Sequence, residues 1–564
     1  MEELKNFNSC RTPVLVKNGC ASSNNPLATK AGLDILEQGG NAADAAVAIA
    51  AALAVTEPTS TGLGGDAFCL FYNAKTKTVH GLNGSGRCAV NLNLDLLAKE
   101  GFNTENPLPD RHVHTVTVPG TAAAWCDTVQ YFGSQKITLQ QILAPAINLA
   151  ENGWPVTPVS AYLWRNGEEL LKSHRYGSAL LKDGRAPRVA EIMTLPDMAK
   201  SLKELAAGGK EQFYTGRIGQ AIVNEVAYEG GVLSLEDLAA HTSTQVEPIR
   251  VDYKGYSIWE IPPNGLGITA LLALNILNGF DLKGLGLGSS DYLHLLIEAL
   301  KLSFADTLFY VADPEKESVP VKQLLSKEYA EERRQLISTT QANEYPVHGN
   351  PEIKKGGDTV YLSVTDKEGN ACSFINSNYM TFGTGIVPQG CGFALHNRGA
   401  LFSLDPTQKN ALAPGKRPQH TIIPGMITRT QDNQLLASFG VMGGFMQPQA
   451  HVQVLLSMIE YGLDPQQALD IPRFYIALDA NPNRRQPWPI LLEKEVAESV
   501  KNELVAKGHK TEWPTDGFLR SSFGRGHIIT QGAWFNKDNT NVETESTVWW
   551  GAADPRCDGS PVGY

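Results

Sequence analysis

Cysteine is sparse in this chain of 564 residues. The eight present, at positions 10, 20, 69, 88, 126, 372, 391 and 557, include no Cys-x-x-Cys pair. That spacing removes zinc-ribbon and thioredoxin-like centres, and scattered thiols fit a reduced compartment. Long apolar runs are equally scarce. The most apolar stretch, 42–55, contains Asp44 and is too short to span a bilayer, so it reads as a buried helix. Dense Lys/Arg runs are missing and the formal net charge is −11, which argues against a nucleic-acid partner. Residues 1–8 include two glutamates and no apolar core of a signal peptide, so a cytoplasmic protein with no membrane partner is expected. Gly-x-Gly-x-x-Gly, Gly-x-Ser-x-Gly and His-Glu-x-x-His are not found, which withdraws the usual nucleotide, α/β-hydrolase and zinc-protease signals. Metal-ligating residues are unclustered in the sequence, and neither a metal nor a cofactor is expected.

What is there reads as a folded protein: 42% of residues are apolar and 19% charged. The length exceeds the size at which one core stops growing, which leaves several domains or one large sheet-layered unit. A helix over 28–38 ends at Gly39-Gly40 as a C-cap, and Asn41 caps the next, 42–55, whose alanines suit close packing. A glycine-rich loop, Thr59-Ser-Thr-Gly-Leu-Gly-Gly-Asp66, lacks the Gly-Lys-Ser/Thr end of a phosphate loop. Asp66 would repel phosphate, so the loop reads as a tight turn near a site, leading into a strand-like 67–72. Arg87, in Gly84-Ser-Gly-Arg-Cys-Ala89, offers a planar fork to a carboxylate, though composition alone favours a plain surface arginine. Amphipathic helices follow over 119–151, and 152–340 reads as mostly helical, with long helices after 267 and over 292–312. Residues 339–355 form a loop or linker.

The pattern changes at Gly356-Gly-Asp-Thr359. Val360, Leu362 and Val364 alternate as the buried face of a strand, with Thr359, Tyr361 and Ser363 on the other. A cut between Asp358 and Thr359 would leave a threonine carrying a hydroxyl nucleophile and its own amine as base. Strands at 359–365 and 371–377 flank Asp366-Lys-Glu-Gly-Asn370, which is hairpin chemistry. Two more candidate strands lie at 392–395 and 435–440. Gly443-Gly444 precedes a helix over 449–461. It is a plain turn, or, with Thr359 nearby, a pair of backbone N–H groups for an oxyanion.

Several ordered blocks together resemble the γ-glutamyltransferase family, the glutathione hydrolases, over nearly the whole chain. They are 34–48, Leu53-Ala-Val-Thr-Glu-Pro58 with Leu63-Gly-Gly65, Val118-Pro-Gly-Thr121, Pro262-Pro263 with Gly267, 359–385, Lys416-Arg-Pro418, Gly443-Gly444 and Ala553-Asp-Pro-Arg556. The resemblance implies an α/β fold, the αββα four-layer sandwich of N-terminal-nucleophile hydrolases. It implies a proenzyme that cleaves itself at Asp358–Thr359 into a large subunit, 1–358, mostly helical, and a small one, 359–564, together forming one fold. Thr359 would then attack γ-glutamyl amides such as glutathione, Gly443 and Gly444 would hold the oxyanion, and water or an acceptor amine would resolve the acyl-enzyme. Ser377 stands where the family has a threonine that hydrogen-bonds the nucleophile.

The glutamyl-binding positions depart from the family. Arg87 is displaced from the carboxylate-binding arginine, Tyr379 replaces an asparagine, Arg398 and Leu401 replace the Gln and Asp that face the α-ammonium, and His420-Thr421 replace a Ser-Ser pair. An arginine beside an ammonium is unfavourable, whereas Arg398, Arg87 and His420 suit an anionic acyl end. Reduced γ-glutamyl specificity and tolerance of glutaryl-type groups are therefore expected, as in the branch of the family with YwrD-like members and cephalosporin-type acylases. An amidase for larger peptides, and an inactive relative kept for binding, stay open beside it.

Overall fold

The structure, a computed structural model, describes residues 11–347, 358–478, 488–536 and 548–564; of Asp358 and Thr359 it gives the backbone. Two seven-stranded sheets make its centre. The first runs in spatial order Val14–Val16, Trp549–Ala553, Arg525–Gln531, Leu435–Met442, Gly425–Arg429, Tyr256–Glu260 and Ile249–Tyr253. The second runs Ser560–Gly563, Cys20–Ser23, Asp358–Thr365, Ala371–Tyr379, Asp66–Asn73, Thr78–Asn83 and Thr244–Val246. Neighbouring strands in both are antiparallel.

The two sheets face each other across an apolar layer in which Phe68, Leu70, Tyr361 and Ile375 of the second meet Met426, Met442 and Ile529 of the first. The outer face of the second sheet, with Val360, Leu362 and Val364, is covered by helices that include Pro26–Glu37, Ala42–Thr56 and Thr121–Phe132. The outer face of the first is covered by Gly267–Leu277, Ser290–Tyr310 and Met446–Tyr461. Helix, sheet, sheet, helix: the four-layer αββα order holds. The alternation read around residue 360 holds too, because a strand in an inner layer sends its apolar residues to the helices and its alternate residues to the other sheet.

Local signals explain how the helices begin and pack. Asn41 and Asp44 form a reciprocal capping box at the start of Ala42–Thr56, and every residue of that helix is buried. Gly32 lets it approach, since a Cβ there would lie 2.5 Å from the Ile49 side chain. At the hairpin turn, Asp366 Oδ1 accepts the N–H groups of Glu368 and Asn370, while Oδ2 accepts the N–H of Ala42, 3.0 Å away. One carboxylate thus closes the turn and caps a helix in the next layer.

Two expectations are corrected. Residues 392–395 are not a strand: Gly392 has φ +71°, and Leu395 bonds locally, its N–H to Ile386 and its C=O to Thr384. The region 152–340 is not only helix and loop, because Thr244–Val246, Ile249–Tyr253 and Tyr256–Glu260 lie within it and join both sheets. Each is short, and Pro248 and the Lys254-Gly255 turn separate them, which hides the alternation of Ile249, Val251 and Tyr253. Both sheets therefore mix strands from before and after residue 359.

Candidate active site

Strand Asp358–Thr365 pairs with Ala371–Tyr379 in a register that slips at its first residues: Asp358 lies opposite Tyr379 and Val360 opposite Asn376. The backbone of Thr359 thus sits at a bulge facing Ser377 and Asn378, the kind of irregularity that re-aims a chain. Contacts to the other sheet advance along the same strand. Ser363 Oγ donates to Ser438 Oγ at 2.8 Å, and the Tyr361 ring lies over Gly440, where a Cβ would come within 2.5 Å of it. The next steps on the facing strand are Met442 and then Gly443.

At Gly443 that strand ends. Gly443 and Gly444 have φ of +135° and +58°, conformations that favour glycine, and their carbonyls accept the N–H groups of Met446 and Gln447 in the first turn of Met446–Tyr461. Their own N–H groups donate to no acceptor among the described residues. Behind the turn, Val441 N–H donates to His451 Nε2, and His451 Nδ1 bonds Glu260 at 2.7 Å.

Around the bulge is a buried polar cluster. Ser377 Oγ accepts from the N–H of Tyr379 (2.8 Å) and from Arg398 Nη2 (3.0 Å); Arg398 Nη1 donates to Thr421 Oγ1 (2.8 Å), and the guanidinium lies 4.5 Å from the centre of the Tyr379 ring. Two hydrogen bonds accepted by Ser377 Oγ direct its own proton away from both. Burial draws the Arg398 pKa down to about 10, Asp66 and Tyr379 opposing, so it stays cationic at neutral pH. Arg398 Nε–H has no acceptor among the described residues. Leu401, one turn on, is packed among apolar neighbours.

Asp66 supports this cluster from below. Its Oδ1 accepts the N–H groups of Gly86 and Gly120, and its Oδ2 bonds His420 Nε2 at 3.0 Å. Burial alone would raise its pKa, but His396, His420 and Arg398 hold it well below the ordinary carboxylate range. His420 is driven down to about 3, by burial first and by Arg398 second. It is neutral, with both ring nitrogens engaged, since Nδ1 accepts the N–H of Ile422. Its contacts are therefore hydrogen bonds of a neutral ring, with Asp66 and with the N–H of Ile422.

Ser377, Tyr379, Arg398, His420 and Thr421 come together as one group. Arg87 does not join it: its guanidinium is paired with Glu315 at 2.7 Å, which also takes Arg417. The side chain of Thr359 lies outside the described residues. Asp66 and His396 belong to the cluster and were not expected there. The signal for Asp66 was visible, an acid closing a glycine loop, but it read as a turn.

An antiparallel αββα sandwich, with a bulged strand end on one sheet and a diglycine turn on the other, defines the N-terminal-nucleophile hydrolase class. The chain belongs to the gamma-glutamyltranspeptidase family, whose model matches residues 28–564. It is 35% identical to the glutathione hydrolase-like YwrD proenzyme of Bacillus subtilis, over 95% of this chain and 97% of that one. It is 32% identical to an acylase ACY 1 proenzyme of a Pseudomonas species, covering 99% and 95% of the two. The crystal structure of a cephalosporin acylase from Bacillus halodurans superposes with a TM-score of 0.89 at 42% identity, over 99% and 98% of the two chains.

Proposed function

We propose that this chain is a self-cleaving amidohydrolase with Thr359 as nucleophile, acting on amides whose acyl end is anionic. The reading rests on one observation: the bulge at 358–360 and the diglycine turn at 443–444 lie at the same end of the two facing sheets. In the precursor, the Thr359 hydroxyl attacks the carbonyl carbon of Asp358. The C–N bond breaks, the nitrogen becomes the α-amine of Thr359, and water hydrolyses the ester, leaving Asp358 as a carboxylate. In turnover the same hydroxyl attacks the substrate amide and passes its proton through the α-amine to the leaving amine. The N–H groups of Gly443 and Gly444 receive the developing oxyanion. Water, or an acceptor amine, releases the acyl group.

The acyl end is read from Arg398. It is a buried cation at the position from which an α-ammonium would have to be recognised, and its Nε–H has no acceptor among the described residues. A carboxylate satisfies that donor, and an ammonium beside it is repelled. Glutaryl amides fit better than γ-glutamyl amides such as glutathione, in keeping with the acylases among the relatives. Tyr379 and Thr421 hold the guanidinium, and Arg87 stays with Glu315.

The test is a denaturing gel of the purified protein. Two bands are expected, the smaller beginning at Thr359, and T359A should stay at full length. With the processed protein, glutaryl p-nitroanilide should be cleaved in preference to the γ-glutamyl compound. A single band, or a strong γ-glutamyl preference, would overturn the corresponding half of the reading.

A further inference from the structure

A second buried arginine stands on the other side of the same strand end. Arg525 begins strand Arg525–Gln531 and is the register partner of Met442, the residue before the diglycine turn. Directly opposed residues in an antiparallel pair share a face, so both side chains enter the layer between the sheets. There Arg525 Nε donates to Met442 Sδ at 3.2 Å, Nη1 to Glu57 Oε2 at 3.1 Å and Nη2 to Ser60 Oγ at 3.4 Å. Arg525 is 1% exposed and Glu57 2%.

These three bonds join two structures that no strand connects. Met442 is covalently next to Gly443. Glu57 and Ser60 belong to the turn after helix Ala42–Thr56, whose carbonyls fix the far wall of the site: Ser60 C=O accepts the N–H of Asn378 at 2.9 Å, and Thr59 C=O that of Phe382 at 2.7 Å. Asn378 follows Ser377, opposite the bulge. The backbone of Gly524 also packs on Gly443, within 3.2 Å of where a Cβ would stand. The guanidinium fork is planar and rigid, so it fixes the distance between what it holds.

We propose that Arg525, locked by Glu57, is a positioning residue for the acyl-transfer step. It ties the Gly443–Gly444 turn to the Ser60–Asn378 wall, so that the oxyanion donors and the groups around Ser377 keep one relation to the strand end between them. This rests on the reading of Thr359 and the diglycine turn given above. It differs from the role of Arg398, which is to receive the acyl carboxylate: loss of Arg525 slows the chemistry, and loss of Arg398 weakens binding.

The experiment uses three forms: the E57Q/R525M double variant, which removes both charges of the pair, and R525K and S60A, which keep the ion pair and loosen the fork. Precursor conversion, kcat and KM on glutaryl p-nitroanilide, and melting temperature are measured for each against the parent protein. A misplaced site costs roughly 100-fold in rate. The double variant is expected to lose about that much kcat with KM nearly unchanged, and to convert its precursor slowly. R525K and S60A should fall between it and the parent. Should the double variant not fold, R525K and S60A decide the matter by the same split. An unchanged kcat with a lower melting temperature would overturn the proposal by making the pair purely structural. A raised KM with kcat kept would overturn it by making Arg525 a binding residue. A parent protein that neither converts nor cleaves the anilide would instead sink the reading of Thr359 itself.

Discussion

A guanidinium stripped of water has to be held by its neighbours, and Arg398 is held by Ser377, Thr421, the face of Tyr379 and the charge of Asp66. Its Nε–H has no acceptor among the described residues. Replacing it by an uncharged side chain removes a charge-assisted contact worth about 1.5–3 kcal/mol. R398Q should therefore raise KM for glutaryl p-nitroanilide ~10-fold or more, with a smaller change in kcat. A change confined to kcat would show that the acyl end binds elsewhere. Asp66 carries a different load: D66N keeps the shape but removes the charge facing His420, His396 and Arg398. It is expected to destabilise the protein by ~3 kcal/mol, read as a lower urea midpoint. The residues of the proposed site were legible to different degrees for physical reasons. Thr359 announces itself by glycines and strand alternation within a few residues. Arg398, Ser377 and Thr421 are recognised as a group only when the fold closes over them, and burial of His420, which lowers its pKa, is not visible in the sequence. Arg525 sits in Gly524-Arg-Gly526, with nothing in its neighbourhood to mark it.

At the scale of elements, the site is set by how two strands pass each other. Tyr361 crosses to Gly440 and Ser363 to Ser438, and this ladder carries the strand end at 358–360 towards Met442 and Gly443. A side chain at 440 would break the ladder one step short of the turn. G440A places a methyl group 2.5 Å from the Tyr361 ring, a clash that forces the sheets apart at a cost of about 1–3 kcal/mol. It should lower the melting temperature and slow precursor conversion together, measured by calorimetry and by a timed denaturing gel. Conversion at the parental rate would show that the spacing of the sheets does not set the site. The hairpin at 366–370 and the helix capped by Asn41 were legible because their signals are local. The strands Thr244–Val246, Ile249–Tyr253 and Tyr256–Glu260 were not, because each is short and its partners lie far along the chain or beyond residue 359.

Across the whole molecule, the buried histidines decide how the fold meets acid. His241, His420 and His527 are each driven down to about 3, and His509 to about 2, with burial the largest cause in every case. His509 is the middle of a chain: Lys301 donates to its Nδ1, its Nε2 bonds His294 Nδ1 at 2.8 Å, and His294 Nε2 bonds the carbonyl of Ser338 at 2.7 Å. That chain works only with both rings neutral. In the unfolded chain these four histidines take up protons as pH falls through their ordinary value of about 6.5, whereas the folded protein resists until about pH 3. The unfolded state thus binds more protons over that window, and stability is full above it and lost as pH falls, by about 1.4 kcal/mol per pH unit for each histidine. Asp66 and Asp554, held below the ordinary carboxylate range, extend the loss below about pH 4, because the folded protein resists their protonation too. Glu260 and Asp366, whose pKa values burial raises, work the other way and soften it. The histidines outnumber them between pH 6.5 and 5, so the urea midpoint should drop steeply there and change little between pH 7 and 8. H527Q, which removes one of these histidines, should make the fall shallower. A midpoint level from pH 7 to 5 would mean that these rings are protonated in the folded protein, and the account of a neutral His420 beside Arg398 would fall with it.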